Sequence, residues 1–499
     1  DLTGVDVLVL VPRVEACGKD ADVVRRYVRS RTLTRRYAPP SPRGGERKPA
    51  RKLYSPLRSR FRVMLRFLYT VAMYLATPVI VWRLAARGIR YRGYFRRWRE
   101  RFGRFPDPDF DGAIWVHAVS VGEVNAALPL IHALRRRYAP RPMVVTTVTP
   151  TGSERVRKLF GDEVFHVYLP YDLPRAVRRF LDRIRPALAV VMETEIWPNL
   201  FHQCGRRGIP LAVVNARLSE RSLRGYRPIR ALVAQALGNV ALVAAQSHAD
   251  ARRYRALGAD PARVQVSGNL KYDMPLPKGA RQRGAELRAQ WGETRPVWFA
   301  ASTHEREELA VFEAHLAVLA RMPDALLLIA ARHPERFRAV GHAAQNLGFA
   351  VATHSMGDAS PETQCLVIDG MGVMMRYFAA CDLAFVAGSL VSVGGHNVLE
   401  PAALSKPVVV GPYTFNFEEI TRTMIEAGGA RRVASTQALG VAVQELLRDP
   451  RELARMGAAA HAVCVRERGA VRRTMVMLGR IFARARYHKE SAAVIAARR

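Results

Sequence analysis

The apolar positions of this chain fall into short runs separated by amphipathic stretches, a pattern that becomes regular near residue 111. Runs bounded by turn residues predict buried strands at Ile114–Val119, Met143–Val148, Val164–Leu169, Leu188–Met192, Leu211–Asn215, Leu242–Ala245 and Val264–Val266. Between them the spacing is helical, as at Val124–Arg137 and Glu154–Phe160. A proline-glycine stretch, Asp273-Met274-Pro275-Leu276-Pro277-Lys278-Gly279, interrupts the alternation. It restarts with strands at Val297–Ala300, Ala325–Ala330, Cys365–Ile368, Leu383–Ala387 and Pro407–Val410. Helical patterns at Glu305–Ala320, Pro334–Asn346, Met374–Ala380 and Phe417–Ala427 fill the gaps. Strands that alternate with helices build parallel sheets covered on both faces. The pattern therefore predicts an α/β fold of two doubly wound, Rossmann-like domains facing a cleft, over 105–273 and 294–499, with 274–293 as linker.

Upstream the pattern differs. Residues 1–63 contain no methionine and include a Pro/Arg/Lys-rich run at 39–48, which predicts an extension without a fold. The first methionine is Met64, and the functional chain is expected to begin there. Phe67 to Trp82 is a run of 16 residues without a charge, broken by Pro78. A bilayer span takes about 20 residues, so this segment is either a short span or a helix lying in the interface. Residues 64–104 are thus expected to form a membrane anchor with a basic juxtamembrane segment. Two other readings are weaker. A signal peptide would show a small-residue cleavage site after the apolar run, and none is present. A buried core helix would leave the basic block simply solvated.

Charge sharpens that reading. The 499 residues carry a formal net charge of +35, and residues 1–104 hold 26 Lys/Arg against 7 Asp/Glu, more than half of the surplus. Arginines 83, 87, 90, 92, 96, 97, 99, 101 and 104 are interleaved with Tyr91, Tyr94, Phe95 and Trp98. A basic, aromatic stretch beside an apolar helix suits anionic membrane lipid better than a nucleic-acid groove, and the positive-inside rule keeps the downstream domains in the cytoplasm. No nucleic-acid-binding signature is present, so no nucleic-acid partner is expected. The five cysteines are far apart, which predicts reduced thiols.

Candidate chemistry gathers at the C-terminal ends of the predicted strands, where open α/β sheets bind ligands. The densest case runs from Gly388 to Ala403, with Ser389, Gly395, His396, Asn397 and Glu400 around a glycine turn that opens a helix. Glycines let backbone approach a ligand, and a helix N-terminus offers N–H groups to an anion. Glu123 comes just after the first strand. An acid there is explained by the helix dipole alone, yet it is also placed as a general base for a sugar hydroxyl. Glu193 and Glu195 directly follow another strand, and Lys271 sits at the domain junction, where a cation can meet a phosphate or carboxylate. In the second half Ser302, Arg332, His333 and the turn Asp369–Met374 lie on the same edge. Arg332 offers a forked donor for phosphate. No His/Asp/Glu cluster has metal spacing, so neither a metal nor another cofactor is expected.

The strings H-A-V-S-V-G-E (117–123), T-P-T-G-S-E-R-V (149–156), Y-L-P-Y-D-L-P (168–174), M-E-T-E-I-W-P-N-L (192–200), N-A-R-L-S (215–219), S-T-H-E (302–305), R-H-P-E-R-F (332–337) and G-S-L-V-S-V-G-G-H-N-V-L-E-P-A (388–402) together resemble 3-deoxy-D-manno-octulosonic acid (Kdo) transferases, collinearly from about Met64 onward. The resemblance implies a GT-B glycosyltransferase that moves Kdo from CMP-Kdo to a lipid A precursor, in lipopolysaccharide synthesis at the cytoplasmic face of the inner membrane. Carried over by motif, Glu123 corresponds to the proton acceptor, and Glu193 and Lys271 to residues that stabilise the transition state. Ala331 and Arg332, Met371, Gly372 and Val373, and Asn397, Val398, Leu399 and Glu400 correspond to CMP-binding segments. Val373 stands where the family can carry an acid, so contact there is expected through backbone N–H. Three other classes stay open on residues alone: a UDP-sugar transferase, a nucleic-acid-binding protein and an inactive membrane scaffold.

Overall fold

A computed structural model describes residues 56–357 and 359–497. Most of the expected extension, residues 1–55, lies outside the described residues, and Pro56–Val63 already belongs to a helix that continues to Arg90. The expected boundary at Met64 therefore falls inside one continuous element.

Two seven-stranded sheets, all parallel, form the body. The first holds β1 (Ala113–His117), β2 (Met143–Thr147), β3 (Phe165–Tyr168), β4 (Pro186–Met192), β5 (Leu211–Ala216), β6 (Leu242–Ala245) and β7 (Val264–Val266), in the order β3-β2-β1-β4-β5-β6-β7. The second holds β8 (Val297–Thr303), β9 (Leu326–Ala331), β10 (Val351–Thr353), β11 (Cys365–Val367), β12 (Leu383–Val386), β13 (Val408–Val410) and β14 (Ala430–Arg432), in the order β10-β11-β9-β8-β12-β13-β14. Side chains alternate between faces along each strand. Ala113 and Trp115 enter one core of the first lobe, whereas Ile114 and Val116 enter the other. In the second lobe Trp298 and Ala300 divide from Val297, Phe299 and Ala301 in the same way.

All twelve expected strands form. β10 and β14 were not expected: β10 is three residues long, and β14 ends in two exposed arginines, so neither reads as an apolar run. The domain boundaries need two corrections. Ala280–Trp291, expected to be linker, is a helix of the second lobe, with Leu287 and Trp291 in its core and the Trp291 ring 6.2 Å from that of Tyr377. The final helix, Ala470–Ala497, expected in the second lobe, instead packs Ala470, Leu478 and Phe482 against Ile131 and Leu134 of the first. Periodicity marks a helix but not which lobe buries it. The chain thus crosses between lobes twice, and Asp273 ties the crossings together. Its carboxylate accepts from Gly469 N at 2.7 Å and from Val471 N at 2.6 Å.

The helix Pro56–Arg90 includes one stretch, Val63–Ile89, long and apolar enough to cross a membrane by length and composition. One face of it lies on the first lobe. Tyr69 donates to Asp172 Oδ2 at 3.0 Å, Thr70 donates to Asn199 Oδ1 at 3.1 Å, and Ile80 is buried. Asp172 also accepts from the N–H groups of Asn199 and Leu200, and burial pushes its carboxyl up to about 6. The opposite face exposes Phe67, Leu68, Leu75, Val79 and Trp82. Not every arginine of the basic block faces outward. Arg97 donates to the His166 carbonyl at 2.6 Å, and Arg101 is buried over the Tyr168 ring.

Candidate active site in the cleft

Both sheets reverse their strand order between two adjacent strands, β1 and β4 in the first, β8 and β12 in the second. At such a switch point the connections leave on opposite sides of the sheet and open a crevice. The functional candidates lie there.

On the first lobe, β1 leads into the helix Val121–Tyr138, with Glu123 in its first turn. Glu123 Oε2 accepts from Val119 N at 2.8 Å, which fixes the carboxylate at the strand's end. Burial raises its pKa well above the ordinary value, and the charges of Glu193 and Glu195 raise it further; the Val119 N–H and Lys271 oppose them. A carboxylate in that state is a stronger base than one in water. Glu193 has φ of 56°, a left-handed conformation unusual for a residue with a side chain. Its backbone is pinned on both sides: Glu193 N donates to Val214 O at 2.9 Å, and the Tyr254 hydroxyl donates to Glu193 O at 3.0 Å. Glu195 is buried beneath it, and desolvation pushes its carboxyl up to about 7. Lys271 follows β7 in a short turn, where Asn269 Oδ1 accepts from Lys271 N at 3.0 Å and Asn215 Oδ1 accepts from Leu270 N at 3.0 Å. Asn215 was not singled out from sequence, although it stands in one of the quoted strings; its own φ of 50° marks a second strained strand end.

The lobes meet at this point. Lys271 Nζ lies 4.9 Å from the centroid of the Phe417 ring, and Asn397 Nδ2 lies 3.7 Å from Met274 Sδ. Tyr272 packs with Val386, Val398 and Leu399 in the second lobe.

On the second lobe, Ser302 has φ of 64° and bulges β8 where its pairing to β9 shifts register. Arg332 follows β9, its N–H bonded to Thr303 O at 2.9 Å, and its side chain is exposed. Three imidazoles gather beside it. His304 and His396 are joined Nε2 to Nε2 at 2.9 Å, and the His304 and His333 rings are 5.5 Å apart. One ring of the bonded pair must donate and the other accept, so both cannot be charged. Burial, helped by the neighbouring Arg332 and His333, lowers His396 to about 3 and His304 to about 4. Asn397 Nδ2 donates to Glu400 Oε1 at 3.1 Å; burial raises the Glu400 pKa, and Arg332 pulls it back.

The structure therefore brings Glu123, Glu193 and Lys271 together on one side, and Arg332, His333, His396, Asn397 and Glu400 on the other. Two expectations need correction, the free hydroxyl of Ser389 and the open amides of the glycine turn. Ser389 is fully buried, donating to Val386 O at 2.7 Å and accepting from Gly411 N at 2.8 Å, so its hydroxyl is used by the backbone and is not free for a ligand. The helix after the glycine turn is only Leu399–Ala403, and its Leu399 N–H is taken by Asn397 Oδ1. An open amide cradle was expected there. Ala331, Val398 and Leu399 bury their side chains in the core. Gly395 N donates to Gly388 O at 2.7 Å and closes the turn. Met371 is exposed, and Gly372 and Val373 sit in the turn after β11, the strand next to β9, whose end carries Arg332 and His333. Glu307, which sequence reading missed, is fully buried and is the acceptor for that glycine loop. The only sequence signal was an acid in a helix's first turn. Among the described residues no group of three or more His, Cys, Asp or Glu is arranged to hold a metal ion, and the four described cysteines are buried and free.

Known proteins resemble this chain in fold and in sequence. The UDP-GlcNAc 2-epimerase from Neisseria meningitidis, a crystal structure bound to UDP-GlcNAc, superposes with a TM-score of 0.51 at 13% identity, covering 74% of this chain and 100% of that one, which shows the two-lobed fold alone. Residues 96–274 match the family model described as 3-Deoxy-D-manno-octulosonic-acid transferase (kdotransferase). The 3-deoxy-D-manno-octulosonic acid transferase of Haemophilus influenzae is 41% identical over 422 residues, 83% of this chain and 98% of that protein. The corresponding protein of Bordetella pertussis is 38% identical over 430 residues, again 83% and 98%. With a relative of that identity matched over nearly its whole length, the chain belongs to the 3-deoxy-D-manno-octulosonic acid transferase family.

Proposed function

We propose that the chain is an inverting glycosyltransferase that moves Kdo from CMP-Kdo to a sugar hydroxyl of a lipid A precursor. The observation that carries this reading is the position of Glu123, a carboxylate of raised pKa at the cleft edge of the first lobe, in the field of a lysine that reaches the second. In this reading the acceptor hydroxyl passes its proton to Glu123 as its oxygen bonds to the anomeric carbon of Kdo. The bond from that carbon to the CMP phosphate oxygen breaks with its electron pair, and CMP leaves. The transition state has oxocarbenium character, as in glycoside hydrolysis. Glu193 and Lys271 face the developing charges, and Arg332 balances the departing monophosphate without a metal, with the neutral imidazoles as hydrogen-bonding groups beside it. A base on one lobe and a nucleotide on the other favour attack from the face opposite the leaving group, hence inversion.

The same reading sets the enzyme on the cytoplasmic face of the inner membrane. A helix bonded at Tyr69 and Thr70 to Asp172 and Asn199, and buried again at Ile80, has one face on the lobe along its apolar stretch, which favours one lying in the interface over one that spans. Its outward apolar face would enter the headgroup boundary, with the exposed arginines 83, 87, 92, 96 and 99 against anionic lipid. A donor screen with a defined lipid A precursor tests the function: turnover with CMP-Kdo is expected, and turnover with UDP-sugars alone would reject it.

A further inference from the structure

The glycine loop after β12 exposes its amides inward. Glu307 Oε2 accepts from Gly388 N at 2.6 Å and from His304 N at 3.2 Å; Oε1 accepts from Ser389 N at 2.9 Å and from Leu390 N at 2.8 Å. Successive N–H groups of this kind form a nest for an anion, and here the protein supplies the anion itself. The consequence extends to the imidazoles. Gly388 has φ of 70°, and a Cβ there would lie 2.8 Å from His396 Nε2 and 3.6 Å from His304 Cδ2. The loop backbone is therefore the wall against which the His304–His396 pair rests, and Glu307 holds that wall while also fixing the His304 backbone.

We infer that Glu307 is a positioning residue for the donor pocket: its buried carboxylate locks the loop 388–390 to the start of helix Glu305–Leu319 and so sets His304 and His396 beside Arg332. This inference rests on the donor assignment above. It also means that the donor's phosphate meets Arg332 and the imidazoles rather than the amides of the loop, which are already taken.

The substitution Glu307→Gln is a sharp test because each oxygen takes two N–H groups. A glutamine keeps the shape but turns an NH2 toward two donors, so two bonds are lost and the loop is pushed away. The expected result is a rise in KM for CMP-Kdo of about tenfold or more, with kcat changed by less than about threefold. Glu307→Asp, which keeps both oxygens, should recover part of that loss. Val318→Ala in the core of the same helix is the control: it should lower Tm and leave KM unchanged. A Glu307→Gln protein with unchanged KM, or a Val318→Ala protein whose KM rises equally, overturns the inference. If Glu307→Gln does not fold, the same KM-against-kcat split is read on Glu307→Asp, where an unchanged KM overturns it. Should the wild type use a UDP-sugar in place of CMP-Kdo, the donor reading falls and the split is read on that donor instead.

Discussion

The two lobes share a scaffold and differ in the chemistry mounted on it. Each is a seven-stranded parallel sheet with its switch point between the strand that opens the lobe and a later one. At that point the first lobe presents acids, Glu123, Glu193 and Glu195, with Lys271 at the margin. The second presents Arg332 and three imidazoles, while Glu307 and Glu400 are tied to neighbouring N–H groups. On the proposed mechanism a proton is removed where negative charge is crowded and basicity is high. On the same mechanism a phosphate departs where donors converge. The difference teaches that a two-lobed transferase can mount acids at one sheet edge and an arginine with hydrogen-bonding imidazoles at the other, so that each edge suits a different end of the proposed reaction.

The comparison breaks most decisively at Glu123. Glu123→Gln should lower transfer by about a thousandfold, read as Kdo-bearing product by mass spectrometry. CMP binding, read by calorimetry, should stay within about threefold, because the second lobe is untouched. Unchanged transfer would remove Glu123 from the mechanism. The mirror change, Arg332→Ala, should raise KM for CMP-Kdo by about tenfold to a hundredfold through loss of charge-assisted bonds. An equal loss in both measurements for both variants would mean that the lobes do not divide the work. Leu75→Asp, on the outward face of the first helix, should weaken binding to anionic vesicles by about tenfold or more without altering Tm, since Leu75 is 75% exposed; unchanged vesicle binding would rule out that face as the contact. The smallest effect concerns the acidic edge itself. Activity on this reading needs Glu123 ionised, so the rate climbs as pH rises through its raised pKa. The negative charge of Glu195 contributes to that rise, so Glu195→Gln should move the acid limb of the pH–rate profile to lower pH. A limb that stays put would show that Glu195 does not act on Glu123.

Much of this architecture could be read from the chain because a strand buried on both faces leaves a continuous apolar run, as in Leu188–Met192. Glu123 and Glu193 were visible because each comes soon after such a run, and Lys271 because it stands at the junction of the two lobes. What sequence could not give was partnership. The amides around Gly388 looked open to a ligand until Glu307, 81 residues upstream, proved to fill them. Ser389 reads as a ligand-facing hydroxyl, but it is fixed by Gly411 across the sheet. The final helix has an ordinary periodic pattern, and only packing shows that its apolar stripe belongs to the opposite lobe.

That return of the chain has a mechanical corollary. Because Asp273 holds both crossings within hydrogen-bond reach of one carboxylate, any relative motion that keeps those bonds must pivot about that spot. Opening and shutting of the gap would then keep this carboxylate as its fixed point, with the direction of the swing left to the other contacts between the lobes.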